Sequence, residues 1–291
     1  MPNGIIIIDK PQGWTSHDVV AKCRRLLGER RIGHAGTLDP MATGVLPVFV
    51  GRATRAVEYA AEAGKEYVAG LRLGLSTDTQ DITGTVLSTS DTVISRDALE
   101  AALAPFRGDI LQVPPMYSAL KKNGKPLYEL ARKGQEVERQ PRPVTISALE
   151  VVERTGENRF TLRVACSKGT YIRTLCHDIG QALGCGGVMD SLRRTRAAGF
   201  TLEQAVTMDG LSQAAEEGRA AELLLPVDTY FSQHPALTIQ PAQERLCRNG
   251  NPFSCKGRDG TYRVYGSKGE FLMLGRLAKG TMTTVKSFFD V

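Results

Sequence analysis

The amino-acid sequence predicts an α+β protein, with a mixed, mainly antiparallel central sheet flanked by helices and a small C-terminal β-barrel. Three observations lead there. Apolar and polar residues alternate at 67–73, 144–152 and 160–165 with the two-residue period of half-buried strands, interspersed with helical periodicity at 54–63, 95–103 and 172–183. Regular strand–helix–strand alternation is missing and no Gly-x-Gly-x-x-Gly opens a helix, which excludes a dinucleotide-binding fold. From 237 onward the chain is basic and carries short, glycine-bounded strand patterns at 261–265, 271–274 and 283–288, as small barrels do.

Taken in order, Ile5-Ile6-Ile7-Ile8 reads as a buried strand, and Thr15-Ser16-His17-Asp18 has the form of a capping box that opens a helix. Val19, Val20, Cys23, Leu26 and Leu27 then share one helical face, and Gly28 can end the helix. The run 33–44 bends the chain. Gly33, Gly36 and Gly44 permit turns that other residues resist, and Pro40 biases Asp39 toward extended angles, so a lone carboxylate projects from a glycine-hinged bend. A helix N-cap, with Pro40 at the first helical position, is the competing reading of Asp39. Farther on, the proline-bounded stretch 114–143 carries seven Lys or Arg against three Glu and reads as an inserted basic arm, with a solvated loop as the alternative. Residues 216–225 read as the acidic end of a helix and 226–235 as a linker. The expected domains are 1–229, with the arm at about 115–143, and 236–291.

Composition narrows the partners. With 37 Lys plus Arg against 31 Asp plus Glu, the 291-residue chain has a formal charge of +6 and a pI near 9.0, which favours a polyanion and above all nucleic acid. The positive charge clusters at 22–31, 121–142, 193–196 and in the tail. Six cysteines form no C-x-x-C pair and no zinc-finger spacing with histidine, so they read as reduced thiols. The N-terminal apolar run is too short for a signal peptide, and no stretch approaches membrane-spanning length. A soluble, cytoplasmic protein is the expectation.

A second chemical cluster, Cys166-Ser167-Lys168-Gly169-Thr170-Tyr171-Ile172-Arg173, lies where a strand exits and a helix begins. It offers a phenol and a guanidinium together. Arg173 suits an exposed aspartate, since its planar fork can hold a carboxylate bidentately and keep it ionised, although a surface arginine is the plainer reading. Tyr67 alternates with the core positions of its strand, which by itself suits a packing aromatic.

These segments resemble the bacterial tRNA pseudouridine synthase family that acts on uridine 55 of the T-loop. The resemblance rests on Asp9-Lys10-Pro11-x-Gly13-x-Thr15-Ser16, the run 33–46, Gly74-x-x-Thr77-Asp78-Thr79-x-Asp81, Pro115-Met116-Tyr117-Ser118-Ala119, the run 166–175 and Leu192-Arg193-Arg194. The tail, with Asn249-Gly250-Asn251-Pro252, is similar to an abbreviated PUA domain. The resemblance implies the pseudouridine synthase fold, with Asp39 as the nucleophile that forms a covalent adduct and Arg173 as its partner. It likewise implies that Tyr67 stacks on the uracil and that the Tyr171 phenol lies near ribose and base. Leu192 would wall the uridine pocket, and His34 would occupy the space the flipped nucleotide leaves. The arm matches the thumb insertion that grips the T-stem loop. No metal or organic cofactor is implied, because the reaction is a net isomerisation, and the expected partner is tRNA, with no membrane, no required protein partner and a monomeric enzyme.

Rival readings fit less of the chain. An aspartyl-phosphate hydrolase usually places a second acid two residues after the nucleophile, where this chain has Met41. The zinc deaminase signatures are absent. A non-catalytic RNA-binding or tRNA chaperone protein accounts for the charge, the arm and the barrel but not for Asp39, Arg173 and two tyrosines together. Guide-RNA-dependent relatives remain a further alternative, against which the arm argues.

Overall fold

The computed structural model describes residues 2–122 and 124–289, so the outer limits 1 and 291 of the expected domains, and Asn123 in the arm, lie outside the described residues. The chain opens with β1 (Gly4–Lys10), whose four isoleucines are at most 1 % exposed, as a strand covered on both faces requires. α1 (Ser16–Leu27) starts at the anticipated capping box, with Thr15 and Asp18 satisfying each other's backbone N–H, and ends at Gly28 in the left-handed region. β2 (Ile32–His34) and β3 (Thr43–Val50) flank the bend that carries Asp39. No helix follows Pro40, so the N-cap reading of Asp39 does not hold.

The helix expected at 54–63 is divided. Residues Gly51–Ala56 form a 3-10 turn in which the Thr54 hydroxyl donates to the Gly51 carbonyl at 2.7 Å, and only α2 (Val57–Glu62) is α-helical. β4 (Lys65–Leu73) leads to a small hairpin of β5 (Leu75–Thr77) and β6 (Val86–Thr89), then to α3 (Arg96–Leu103) and β7 (Gly108–Gln112). The arm follows, with short paired strands β8 (Lys121–Lys122) and β9 (Lys125–Pro126) and one turn of helix, α4 (Leu127–Ala131). The long hairpin β10 (Arg142–Gly156) and β11 (Arg159–Cys166) delivers α5 (Ile172–Ala182), after which come β12 (Gly187–Ala197), β13 (Phe200–Thr201), β14 (Val206–Thr207) and α6 (Met208–Glu216).

The central sheet runs β14-β1-β3-β12-β4-β11-β10-β7, with β2 beside β3 and β13 beside β12. Only β14–β1 and β3–β12 are parallel, which makes the sheet mixed and mainly antiparallel as expected. The β3–β12 junction sets the site. Gly44 faces Arg194 there at φ 103°, and a Cβ on it would lie 2.2 Å from the Arg194 carbonyl oxygen, so only glycine lets these strands meet. One side of the sheet packs Leu71, Phe160 and Leu162 against Leu99 of α3 and Leu175 and Ile179 of α5, while Ile6, Ile8 and Val48 pack against α1 and α6.

Beyond 235, β15 (Ala236–Thr238), α7 (Pro241–Arg248), β16 (Phe253–Ser254), β17 (Gly260–Tyr265), β18 (Phe271–Ala278) and β19 (Thr281–Ser287) form a curled five-stranded half-barrel, ordered β15-β17-β18-β19-β16. Its own core includes Val264, Leu272, Met273, Leu277 and Met282. The linker expected at 226–235 is instead a packed joint. Phe231 is 1 % exposed and its ring meets Tyr59, Tyr230, Phe271 and Phe288 at centroid distances of 5.1 to 6.3 Å, because a segment with adjacent large aromatics gains more from burial than from solvation.

Candidate active site

The loop between β2 and β3 is tied down on both sides of Asp39. Ser16, at the start of α1, accepts from the Leu38 N–H at 2.9 Å and lies 3.3 Å from the Leu38 carbonyl, to which its hydroxyl donates. On the other side the Pro40 carbonyl accepts from the Gly13 N–H at 2.8 Å and from Lys10 Nζ at 3.4 Å. Lys10 is fully buried and also donates to the Pro11 and Trp14 carbonyls at 2.9 and 2.6 Å. Burial pushes its ammonium down to about 8, against the pull of the Asp39 charge, which favours the protonated form. Arg194, also fully buried, reaches back from β12 to donate to the Gly36 carbonyl at 3.0 Å and the Val45 carbonyl at 2.7 Å.

Asp39 thus emerges from a fixed backbone. Its Oδ2 lies 3.0 Å from Arg173 Nε, the second residue of α5, in an ion pair where the arginine side chain is 8 % exposed and the aspartate 39 %. The acid therefore occupies the open side of the pair. The bidentate fork expected at Arg173 does not form, because its other nitrogens are engaged elsewhere: Nη2 donates to the Tyr117 carbonyl at 2.8 Å and Nη1 to the Thr79 carbonyl at 3.3 Å. Fork geometry occurs instead at Arg193, whose Nη2 and Nη1 meet the two oxygens of Asp9 at 2.7 and 3.2 Å.

Behind Arg173 stands Asp81. Its Oδ1 accepts from the hydroxyls of Thr79 and Thr83 at 2.9 and 2.6 Å and from the Thr83 N–H at 3.0 Å, and its Oδ2 lies 3.9 Å from Arg173 Nη1. A buried guanidinium is thereby held between two carboxylates and two carbonyls, which is what keeps its burial from being prohibitive.

The aromatic candidates arrive from two directions. Tyr67 of β4 is opposite Arg194 of β12 and packs into the cluster that holds Leu38, Ile172 and Leu192, the neighbours in sequence of Asp39 and Arg173 among them. Burial pushes its phenol up, Arg194 opposes, and the Asp39 charge adds to the rise. Tyr171 precedes α5, two residues before Arg173, and burial pushes its phenol up as well, with a hydrogen bond to Ser118 and the charges of Arg142 and Arg173 opposing and Asp39 reinforcing. Both phenols therefore sense the same carboxylate. Leu192, opposite Ala69, is 9 % exposed in this cluster. His34 sits in β2 with its ring edge-on to His17 at 5.8 Å, and burial, then the charges of His17 and Arg194, holds its imidazole down at about 4. It is neutral at physiological pH.

Sequence reasoning assigns no task to Lys10, Ser16, Asp81 or Arg194. The repeated Thr/Asp spacing at 77–81 is a side-chain-to-backbone turn signal that marks the Asp81 turn but not the arginine it faces. A cavity of about 660 Å³ lies elsewhere, between the body and the C-terminal sheet, lined by Arg52, Asp228, Tyr265, Phe271 and Phe288 among others, and shares no residue with the Asp39 site.

Against known proteins, the sequence model of the TruB family pseudouridylate synthase N-terminal domain matches residues 24–172, and that of the tRNA pseudouridylate synthase B C-terminal domain matches 173–232. The chain belongs to the TruB family of pseudouridine synthases. Proteins named tRNA pseudouridine synthase B from Stutzerimonas stutzeri and Francisella philomiragia are 45 % and 41 % identical to it, over 95 % and 99 % of this chain and 92 % and 95 % of theirs. Among solved structures, a Cbf5-Nop10-Gar1 complex matches at 29 % identity and a TM-score of 0.75, covering 99 % of this chain and 85 % of that one. An H/ACA RNP bound to a substrate RNA containing 2'-deoxyuridine matches at 27 % identity and 0.74, covering 99 % and 86 %. The fold is the pseudouridine synthase fold, and the protein is a synthase, an isomerase.

Proposed function

We propose that this synthase converts uridine 55 in the T-loop of tRNA to pseudouridine, with Asp39 as the nucleophile. The observation that carries the reading is the Asp39–Arg173 ion pair: a carboxylate on a fixed loop, open on one side and charge-paired on the other, is the form covalent catalysis needs. The relatives' names supply the class of RNA. In the reaction the N1–C1′ bond breaks, the uracil turns while Asp39 is covalently joined to the nucleotide, a C5–C1′ bond forms, the bond to Asp39 breaks to return the free carboxylate, and C5 loses a proton while N1 gains one. Electrons and atoms balance without an external reagent. Tyr67 stacks on the uracil, the Tyr171 phenol lies at the ribose and base, Leu192 walls the pocket, and neutral His34 fills the position the extruded nucleotide vacates.

Extruding a stacked base costs roughly a few kcal/mol, and RNA contacts elsewhere must offset it. Lys121, Lys122, Lys125, Arg132 and Lys133 are exposed along the arm, with the Arg132 guanidinium over the Tyr128 ring at 5.5 Å, a combination suited to phosphates and unstacked bases. In this reading 1–229 is the catalytic domain, 236–291 is a PUA-like RNA-binding domain, and the enzyme acts as a cytoplasmic monomer on the T-stem loop. Incubation with unmodified tRNA, followed by mapping of the product, tests it. Pseudouridine at position 55 is the expected outcome. Modification elsewhere overturns the site, and binding without turnover makes the protein an RNA chaperone instead.

A further inference from the structure

Gln112 closes β7 and is the last strand residue before the arm, and it is only 2 % exposed. Both ends of its amide engage one residue: the Tyr171 N–H donates to Oε1 at 2.7 Å, and Nε2 donates to the Tyr171 carbonyl at 3.0 Å. A side chain here reproduces the exchange of two N–H···O bonds that pairs residues across antiparallel strands. Tyr171 has extended angles, φ −103° and ψ 109°, and no side chain caps α5 there, so the glutamine adds its grip to the helical bond from the Leu175 N–H to the Tyr171 carbonyl at 3.0 Å. Two residues on stands Arg173, whose Nη2 is held by the Tyr117 carbonyl at the root of the arm. The start of α5 is therefore gripped from the arm root at two points.

We propose that Gln112 is a positioning residue for the isomerisation: its amide clamps the backbone of Tyr171 and so sets the direction of the Tyr171 phenol and the Arg173 guanidinium toward Asp39. The inference rests on the roles proposed above for those three residues. Without the amide, the N–H of half-buried Tyr171 loses its partner and its carbonyl keeps only the helical bond from the Leu175 N–H at 3.0 Å, so the entry to α5 is held less firmly. A misplacement of about 1 Å at a reacting group can slow chemistry about a hundredfold.

Single-turnover conversion at saturating T-arm RNA, with Kd measured separately, tests the clamp. Gln112→Ala should slow the conversion roughly ten- to a hundredfold while Kd stays within about threefold. Gln112→Glu carries the test should the alanine variant not fold. Its carboxyl can accept from the Tyr171 N–H in either form but can donate to the Tyr171 carbonyl only when protonated, so its rate relative to the parent should climb from about pH 8 to about pH 5.5. A glutamine that merely fills space gives no such pH dependence. An unchanged rate in Gln112→Ala, a loss confined to Kd, or a flat rate ratio for Gln112→Glu overturns the proposal. Asp39→Asn in the same assay separates the two readings: activity retained there overturns the site itself, whereas a full-rate Gln112 variant beside an inactive Asp39→Asn overturns the clamp alone.

Discussion

The loop that carries Asp39 and the tip of the basic arm use positive charge in opposite ways. Around the loop, Lys10 of β1 and Arg194 of β12 are fully buried and turn donors toward carbonyls at Pro11, Trp14, Pro40, Gly36 and Val45, so they hold backbone. In the arm, Lys121, Lys125, Arg132 and Lys133 stand exposed on a hairpin and the helical turn after it, and exposed Lys122 donates to an arm carbonyl, that of Glu138. Buried cations fix a reacting group to within fractions of an ångström. Exposed ones attract a polyanion and let its backbone adjust. The arm's root belongs with the loop, since Gln112 and the Tyr117 carbonyl engage α5.

The contrast is broken or sharpened by three measurements, taken from the largest expected effect. Asp39→Asn should lower single-turnover pseudouridine formation by at least about a thousandfold with RNA Kd changed less than about threefold. An equal loss in both would erase the distinction between the regions. Replacing Lys121, Lys122 and Lys125 together by alanine should do the reverse. Binding should weaken roughly tenfold at moderate salt, the slope of log Kd against log salt should fall by about 0.7 to 0.9 for each lost phosphate contact, and the saturated rate should hold. The third measurement concerns His34, which bears on stability and leaves RNA binding near neutrality unchanged, because its effect shows only in acid. Its folded-state value of about 4 lies below the ordinary 6.5, so the unfolded chain binds the extra proton between these limits. Stability is complete above pH 6.5 and falls as pH drops toward 4, with a slope of up to about one proton, or ~1.4 kcal/mol per pH unit. His34→Phe should flatten that limb in denaturant titrations at pH 4.5 to 7. The arm contains no histidine, so its variants should leave the limb unchanged.

Local signals made much of this legible. The isoleucine run, the Thr15–Asp18 box, the alternation in β4 and β11 and the lone acid on a glycine-hinged bend are all encoded within a few residues of themselves. The Asp39–Arg173 pair came within reach because an exposed acid and a guanidinium at a helix start are chemically complementary. Its single-contact geometry did not, since it depends on carbonyls of Thr79 and Tyr117 that lie 94 and 56 residues from the arginine. The tasks of Ser16 and Gln112 were invisible for the same reason, their partners being 22 and 59 residues away. The segment 226–235 misled in the other direction. Its prolines spell a linker, but Tyr230 and Phe231 find rings from both lobes.

That aromatic seam has a consequence for how the C-terminal lobe can be studied. A chain cut ahead of residue 236 would strip Phe231 of the Phe271 and Phe288 rings and leave it beside water, turning an internal joint into a sticky exterior of the kind that drives self-association. Truncation therefore confounds lost RNA affinity with lost solubility, and the lobe's share in tRNA capture is better read from point changes on its outer, charged face.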